Sequence, residues 1–599
     1  MRTLYKKALS IVVLGCLFAA ACITSGPPAG VDAPTVDTPF VFQKATHRPV
    51  HINMGPNGGV AAGGPMSPSA GLQVLMNGGN AIDAAVTAAA VSTVTQYSMS
   101  GIGGHGNMTL YLAATGEVKF LNWGGPLPLA FNLSDWGTPP TEPPSRDVAN
   151  TKLPGTLKGW EVALQTYGTI SLAQALAPAI EYAENGFPVY PALARHMAGV
   201  AEQLELFPDL MEILYPNGRP PLPGEILRFP ELANTYRRIA REGTGIFYGG
   251  DLGQKIVSFL NDHGSKFTIE EFANYQPVWD RMLKTTYRGR YEIFAPANSN
   301  FTPVVLTMFN IWENFDLPNM HPLAADTLHI LGEAKKIAWN DRVYYGDPKF
   351  NHIPFDTLVS KAYGNAAAAL IRMDSVLPDR PAGDMTGMLR SAWMAAMDND
   401  DEGAILAMGS EQNYRSTTTS VAAVDKWGNV ALITQTLGSG HGSMHVVPGT
   451  GIILNNEGVF FNLHPPNNPN IPGPGKQVEN QMGGVIVLRD GAFYVGAATP
   501  TGYQIPKQIA AVLQRMLDWG LNPQEAIELP RISYRGSQRL MLEPDIPQAI
   551  RDDLSARGHE IITGFPTFGM VGVKIDPVTG ARQLAGDPVD PLPTHAAVY

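Results

Sequence analysis

The 599-residue chain is 44% hydrophobic and 16% charged, with a net charge of −11. Its length exceeds one average domain and its composition excludes a disordered protein, so a large buried core is expected. The acidic balance offers no basic footprint and excludes nucleic acid as a partner.

Arg2, Lys6 and Lys7 precede the short apolar run "ALSIVVLGCLFAAAC", which reads as an export signal rather than a lasting membrane span. "FAAAC" resembles a bacterial lipoprotein cleavage box. It makes residues 1–22 the signal and Cys22 the lipidated residue, with Cys16 a weaker rival and a plain secretory cut near Ala21 the alternative. The lipid would hold the exported protein to a periplasmic or outer-membrane surface. Both cysteines lie in this leader, so the mature chain carries no disulfide and no cysteine-based metal site or nucleophile. Residues 23–45, rich in Pro, Gly and Thr, read as a flexible linker.

From about residue 56 the pattern becomes globular. "SAGLQVLMNGGNAIDAAVTAAAVSTVTQYSM" predicts one helix before Asn77–Gly79 and an Ala-rich buried one after it. "NMTLYLAA" alternates as a strand. Helical patterns dominate from about 155 to 400, and "DEGAILAMGSEQNYRS" reads as an exposed polar lead-in. "TTSVAAVD" and "GNVALITQTL" flank a turn, and "GVIVLRDGAFYVGAAT" repeats the hairpin around "RDG". A helix "YQIPKQIAAVLQRMLDWG" and the strands "MVGVKIDP" and "ARQLAG" follow.

Three motifs are tempting and fail. "GIGGHG" fits G-x-G-x-x-G, but a helix precedes it and a strand follows it, the reverse of a dinucleotide site. His441 and His445 are four apart, but glycines on both sides of His441 argue for a loop over a helical zinc pair. The serine-hydrolase elbow G-x-S-x-G is absent. No cofactor or metal is implied.

Thr417, Thr418 and Thr419 open the first hairpin strand. Threonine suits strands through its branched Cβ. A threonine at a chain start can also act as a nucleophile. Its own α-amine, with a pKa near ~7.7–8.0, is free enough at neutral pH to serve as base. That chemistry needs a cut just before the residue, and composition alone leaves open which threonine it concerns.

These stretches resemble the γ-glutamyltransferase family of N-terminal-nucleophile hydrolases over roughly residues 50–599. "NGGNAIDAAVTAAA" is similar to the family's "GGNAVDAAVA", "SGIGGHGNM" to "SGIGGGGFM", and "TTSVAAVDKWGNVALITQTL" to "TTHxSVVDxxGNAVSxTxTL". "GTGIILNNE" resembles "GxGIxLNNxM", and "AGDPVDP" resembles the closing "GASDPR".

The resemblance implies an α+β fold, a four-layer αββα sandwich made by two subunits of one cleaved precursor. It places the self-cleavage between Thr417 and Thr418. That gives a large subunit, 46–417, and a small catalytic one, 418–599. It implies Thr418 as nucleophile, Thr436 as its supporting hydroxyl, and Thr501 and Gly502 as the oxyanion-hole loop in place of paired glycines. The implied substrate is a small amide or γ-glutamyl-type molecule, and the implied partners are the two subunits themselves and a membrane through the lipid.

The family's substrate pocket is not reproduced. Its "FRExAP" arginine segment is "LNWGGPLP" here, so Trp123 or Asn122 stands in that place. After "LNN", Asn455 and Glu457 remain candidates to line the pocket, and Phe460 replaces an acidic residue. Asn480 and Gln481 replace a serine pair, and Gly438 replaces an asparagine. These are losses of charge recognition, not of the nucleophile. The expected activity is therefore an amidohydrolase or acyltransferase of altered acyl specificity. A genuine γ-glutamyltransferase and a non-catalytic binding lipoprotein are the alternatives.

Overall fold

Helix α1 (Met66–Met76) ends at Asn77, and Gly78 turns the chain at φ +96° into α2 (Ala81–Thr95). Asn80 caps α2: its Oδ1 accepts from the N–H groups of Ile82 and Asp83, and the Asp83 carboxylate accepts from Asn80 N. Every residue of α2 is buried, as its alanine-rich sequence predicts. These observations come from a computed structural model that describes residues 52–137, 143, 145–297, 301–378, 386–388, 416–463, 468–536, 538–589 and 593–599. The export signal with Cys22, the linker and the polar stretch before Ser416 lie outside the described residues. Among the described residues no helix is long and apolar enough to cross a membrane.

Two seven-stranded antiparallel sheets stack face to face. The first runs Thr594–Val598, Gly59–Gly63, β2 (Ser416–Val424), β3 (Val430–Ser439), β1 (His105–Leu112), Glu117–Asn122 and Val278–Asp280. The second runs Asn53–Gly55, Arg582–Gly586, Val571–Ile575, Ala492–Ala498, Val485–Arg489, Tyr291–Pro296 and Met282–Tyr287. Between them lie Ala422, Val424 and Leu432 against Ile486, Leu488, Val571 and Val573. On the outer face of the first sheet, Val86, Val91 and Val94 of α2 pack with Val421, Ala423 and Ile433. On the outer face of the second, helices Val304–Trp312, Ala325–Asn340 and Ile505–Asp518 cover Ile293, Val485 and Val495. The layers are thus helix, sheet, sheet, helix. Each fully buried valine or isoleucine contributes on the order of 1.5–3 kcal/mol.

The strands between 278 and 296 depart from the helical expectation for residues 155–400. The segment from Met282 to Pro296 alternates buried and less buried positions, the signature of a strand pair. Arg288 and Gly289, both at positive φ, turn it into a hairpin on the edge of the second sheet.

Asp425 fastens the central hairpin. One carboxylate oxygen accepts from the Trp427 and Asn429 N–H groups, and the other accepts from Ala81 N at 3.0 Å. The carboxylate thus sits at the N-terminus of α2, where the helix dipole favours it.

Candidate active site

Side chains alternate across a strand, so the three threonines of β2 cannot share one environment. Thr417 Oγ1 donates to Ser98 O at 3.3 Å, and Thr419 Oγ1 donates to Gln96 Oε1 at 2.7 Å. Both acceptors follow α2, on the helix side of the sheet. Thr418 faces the second sheet instead. It is buried, and its hydroxyl makes no hydrogen bond among the described residues. The β2–β3 register breaks between Thr417 and Thr418.

Thr436 stands directly opposite Thr418. Its Oγ1 donates to the Thr417 carbonyl at 2.5 Å and accepts from Gly438 N at 2.8 Å. The peptide bond joining residues 417 and 418 is therefore gripped from the neighbouring strand.

Gly438 has φ +101°, and a Cβ there would lie 2.4 Å from Asn456 Oδ1. Backbone conformation and contact together explain glycine at this position. That same Oδ1 accepts from Ser439 N at 2.8 Å, and Asn456 Nδ2 donates to Ser145 O.

The remaining candidates fall in different places. Asn455 is a loop staple. Its Nδ2 donates to Gly103 O and Lys152 O, and its Oδ1 accepts from Lys152 N and Glu457 N. Those four bonds occupy its amide, which leaves it a structural rather than substrate-binding part. Trp123 is also corrected in place: it is fully buried in the helix-facing core against Gly159, away from the face that carries Thr418. Asn122 lies on the inner side instead, paired with Asn107 across the strands, and its Nδ2 donates to Gln477 Oε1.

Phe460 closes the short turn Glu457–Phe460 and meets the Tyr503 ring edge-on at 6.1 Å. Asn480 Oδ1 accepts from Met482 N, while Gln481 Oε1 is buried without a partner among the described residues. Asn107 Nδ2 donates to Met482 O at 3.2 Å, which joins this strip to the first sheet. Thr501 holds the left-handed region at φ +91°, an uncommon conformation for a branched residue, and its Oγ1 lies 2.9 Å from Thr567 Oγ1. Gly502 opens the turn Gly502–Gln504, which rests against β2 and leads into helix Ile505–Asp518.

Sequence reasoning missed two ionisable side chains, His105 and Lys152. His105, the first residue of β1, lies across from Thr436, so Thr418, Thr436 and His105 form one row over three strands. His105 Nε2 is 2.7 Å from Glu457 Oε2, and Lys152 Nζ is 3.9 Å from the same oxygen. All three groups are buried. Desolvation lowers the His105 pKa against the opposing pull of Glu457, so the imidazole is neutral near pH 7. Burial brings Lys152 down to about 8. Glu457 stays below the usual carboxylate range because His105 and Lys152 outweigh its own desolvation. The signal for His105 was its position at a strand start after a glycine turn, but only the register shows which row it joins. His441, weighed as a site residue, is buried beside His196 and Tyr97, and burial holds it neutral down to about 3. Among the described residues no cluster of His, Cys, Asp and Glu could hold a metal.

A hydroxyl free of partners, a gripped peptide carbonyl and a four-layer sandwich can now be set beside known proteins. The gamma-glutamyltranspeptidase family profile matches residues 67–586. This chain belongs to the γ-glutamyltranspeptidase family. It is an enzyme of that γ-glutamyltransferase-like group. It is 33% identical over 519 residues to the acylase ACY 1 proenzyme of Pseudomonas sp. strain SE83, covering 85% of this chain and 88% of that protein. It is 30% identical over 548 residues to the glutathione hydrolase proenzyme of Bacillus subtilis strain 168, covering 90% and 91%. A crystal structure of cephalosporin acylase from Bacillus halodurans superposes with a TM-score of 0.81 at 27% identity, over 95% of this chain and 99% of that one. Relatives of this chain thus carry both acylase and glutathione hydrolase names on a shared fold.

Proposed function

We propose that this protein is a self-cleaving amidohydrolase or acyltransferase whose nucleophile is Thr418, freed as a new N-terminus. The contact from Thr436 Oγ1 to Thr417 O, beside the unpartnered Thr418 hydroxyl, carries the reading. In the first step Thr418 Oγ1 attacks the Thr417 carbonyl carbon. The developing oxyanion is already within reach of the Thr436 hydroxyl. The C–N bond breaks, the nitrogen takes the proton that Oγ1 gives up, and an ester links residue 417 to the Thr418 side chain. Water hydrolyses that ester and leaves a free α-amine at Thr418.

In turnover the amine accepts the proton of its own hydroxyl as Oγ1 attacks the substrate amide. The backbone N–H groups of Thr501 and Gly502 serve the substrate's oxyanion. The leaving amine departs protonated, and the acyl-Thr418 ester passes to water or to another amine.

The acyl group differs from an ordinary γ-glutamyl head. No arginine or lysine lies between Phe120 and Phe131, and Phe460, Asn480 and Gln481 occupy positions where the family pattern carries charge or hydroxyls. A zwitterion there would leave charges unpaired, which is costly. The relative named as an acylase and the structural likeness to a cephalosporin acylase support this reading. The glutathione hydrolase relative keeps γ-glutamyl transfer as the second reading.

Intact mass of the purified native protein tests the proposal. Two chains divided between 417 and 418 are expected, with a lipid-modified Cys22 if the export signal is of the lipoprotein type. An uncut chain that still hydrolyses amides would overturn it.

A further inference from the structure

The row Thr418–Thr436–His105 ends beside Gly124, where three polar atoms crowd the backbone. A methyl group placed on Gly124 would lie 3.1 Å from Asn122 Oδ1, 3.4 Å from Gln477 Oε1 and 3.8 Å from His105 Nδ1. Three acceptor atoms therefore converge over one glycine. Asn122 Oδ1 accepts from Gly124 N, and Gln477 Oε1 accepts from Asn122 Nδ2. Both ring nitrogens of His105 are buried without a well-aligned hydrogen bond among the described residues, Nε2 lying 2.7 Å from Glu457 Oε2 and Nδ1 having no partner there at all.

The protonation of that nitrogen follows from its neighbour. Nε2 faces the Glu457 carboxylate at 2.7 Å, so in a neutral imidazole the proton sits on Nε2 and Nδ1 is the acceptor. Glu457 is in turn balanced by Lys152 at 3.9 Å. The cluster is electroneutral and buried. An ammonium or carboxylate brought here would have no counter-charge, whereas an uncharged donor would satisfy Nδ1.

We infer that His105 Nδ1 is the specificity-determining contact of the acyl pocket, selecting an uncharged acyl chain that ends in a hydrogen-bond donor such as a primary amide. This rests on Thr418 as the acylated residue. Two strand spacings separate Thr418 from His105, about 9.5 Å between backbones, which suits a chain of four or five atoms between the reacting carbonyl and the donor. Glu457 acts as a positioning residue: it fixes the tautomer and does not touch the acyl group.

The test uses the cleaved native enzyme and four p-nitroanilides of matched length: 4-carbamoylbutanoyl, glutaryl, γ-glutamyl and 5-methylhexanoyl. The carbamoyl compound is expected to exceed the isosteric 5-methylhexanoyl one by about tenfold in kcat/KM, the worth of one buried hydrogen bond, and to exceed both charged compounds. His105→Leu should bring the carbamoyl-to-methylhexanoyl ratio to about one. Gly124→Ala, which sets a methyl 3.1 Å from Asn122 Oδ1 and 3.8 Å from His105 Nδ1, should lower the same ratio and serves if His105→Leu does not fold. A wild-type ratio near one, a preference for either charged compound, or a ratio unchanged in both variants would overturn the inference. If no anilide turns over, calorimetric binding of the corresponding primary amides reads the same preference, and equal affinities overturn it. Turnover retained in Thr418→Ala would sink the nucleophile assignment while leaving the His105 ratio readable.

Discussion

The Thr436 hydroxyl donates to the Thr417 carbonyl at 2.5 Å, at the break in register between β2 and β3. A donor on that oxygen stabilises negative charge as soon as the carbonyl carbon is attacked. Removing one such preorganised donor costs about a hundredfold or more in rate. Thr436→Val should therefore delay the appearance of two subunits by about that factor, followed by gel over a time course from freshly made precursor. Thr436→Ser, which keeps the hydroxyl, should restore most of the rate.

The three threonines should separate cleanly by substitution. Thr418→Ala should leave one uncut chain without turnover, while Thr418→Ser should still cut, more slowly. Thr419→Val loses the bond to Gln96 Oε1 and should cost about 1 kcal/mol of stability while the chain still divides. Intact mass and a urea midpoint on each variant check these outcomes. A scission that moves or vanishes in Thr419→Val would count against Thr418.

Much of this frame was legible in the sequence because its signals are local. The α1–α2 pair follows from Asn77, Gly78 and Gly79 between two helical patterns, and both hairpins of the C-terminal third follow from alternation around short turns. The family resemblance singled out Thr418 and Thr436, which stand opposite each other on adjacent strands. What failed to read depends on which face a residue takes. Trp123 stands one residue beyond the end of its strand and turns into the helix-facing core, whereas Asn122 turns inward. His105 joins the site only through the register of β1 on β3, a pairing between segments more than 300 residues apart. The hairpin at 282–296 was overlooked because helices surround it on both sides.

Gly438 tests whether the backbone, rather than a lost side chain, explains the departure from asparagine. At φ +101° any side chain is strained, and its Cβ would press on Asn456 Oδ1. Gly438→Ala should destabilise the protein by about 1–3 kcal/mol and slow the internal cut, because Gly438 N holds Thr436 Oγ1. Gly438→Asn should fare no better. Recovery of wild-type stability in Gly438→Asn, measured by thermal unfolding, would show that the loop adapts.

Glu479, next in sequence to Asn480, provides a pH test. Its carboxyl is buried, Oε2 has no partner among the described residues, and burial raises its pKa from 4.5 to about 7 against the pull of the Arg342 guanidinium. Arg342 is itself stacked between Trp339 and Tyr503, at 4.8 and 4.7 Å, and this fixes the distance at which it acts. A pKa raised on folding means the native state holds its proton more tightly than the unfolded chain. The contribution to stability is thus full below pH 4.5 and is lost as pH rises to 7, by about 3 kcal/mol in total. Glu479→Gln has no such titration. The urea-derived stability of the wild type should fall relative to the variant between pH 4.5 and 7 and run parallel to it above 7.5. His441 and His559, both held neutral down to about 3, act with the opposite sign below pH 6.5, but they are common to both proteins and cancel in the difference. Parallel curves across the whole range would mean that Glu479 titrates alike in the folded and unfolded chains, and a wild type that gains on the variant as pH rises from acid would mean a close ion pair with Arg342.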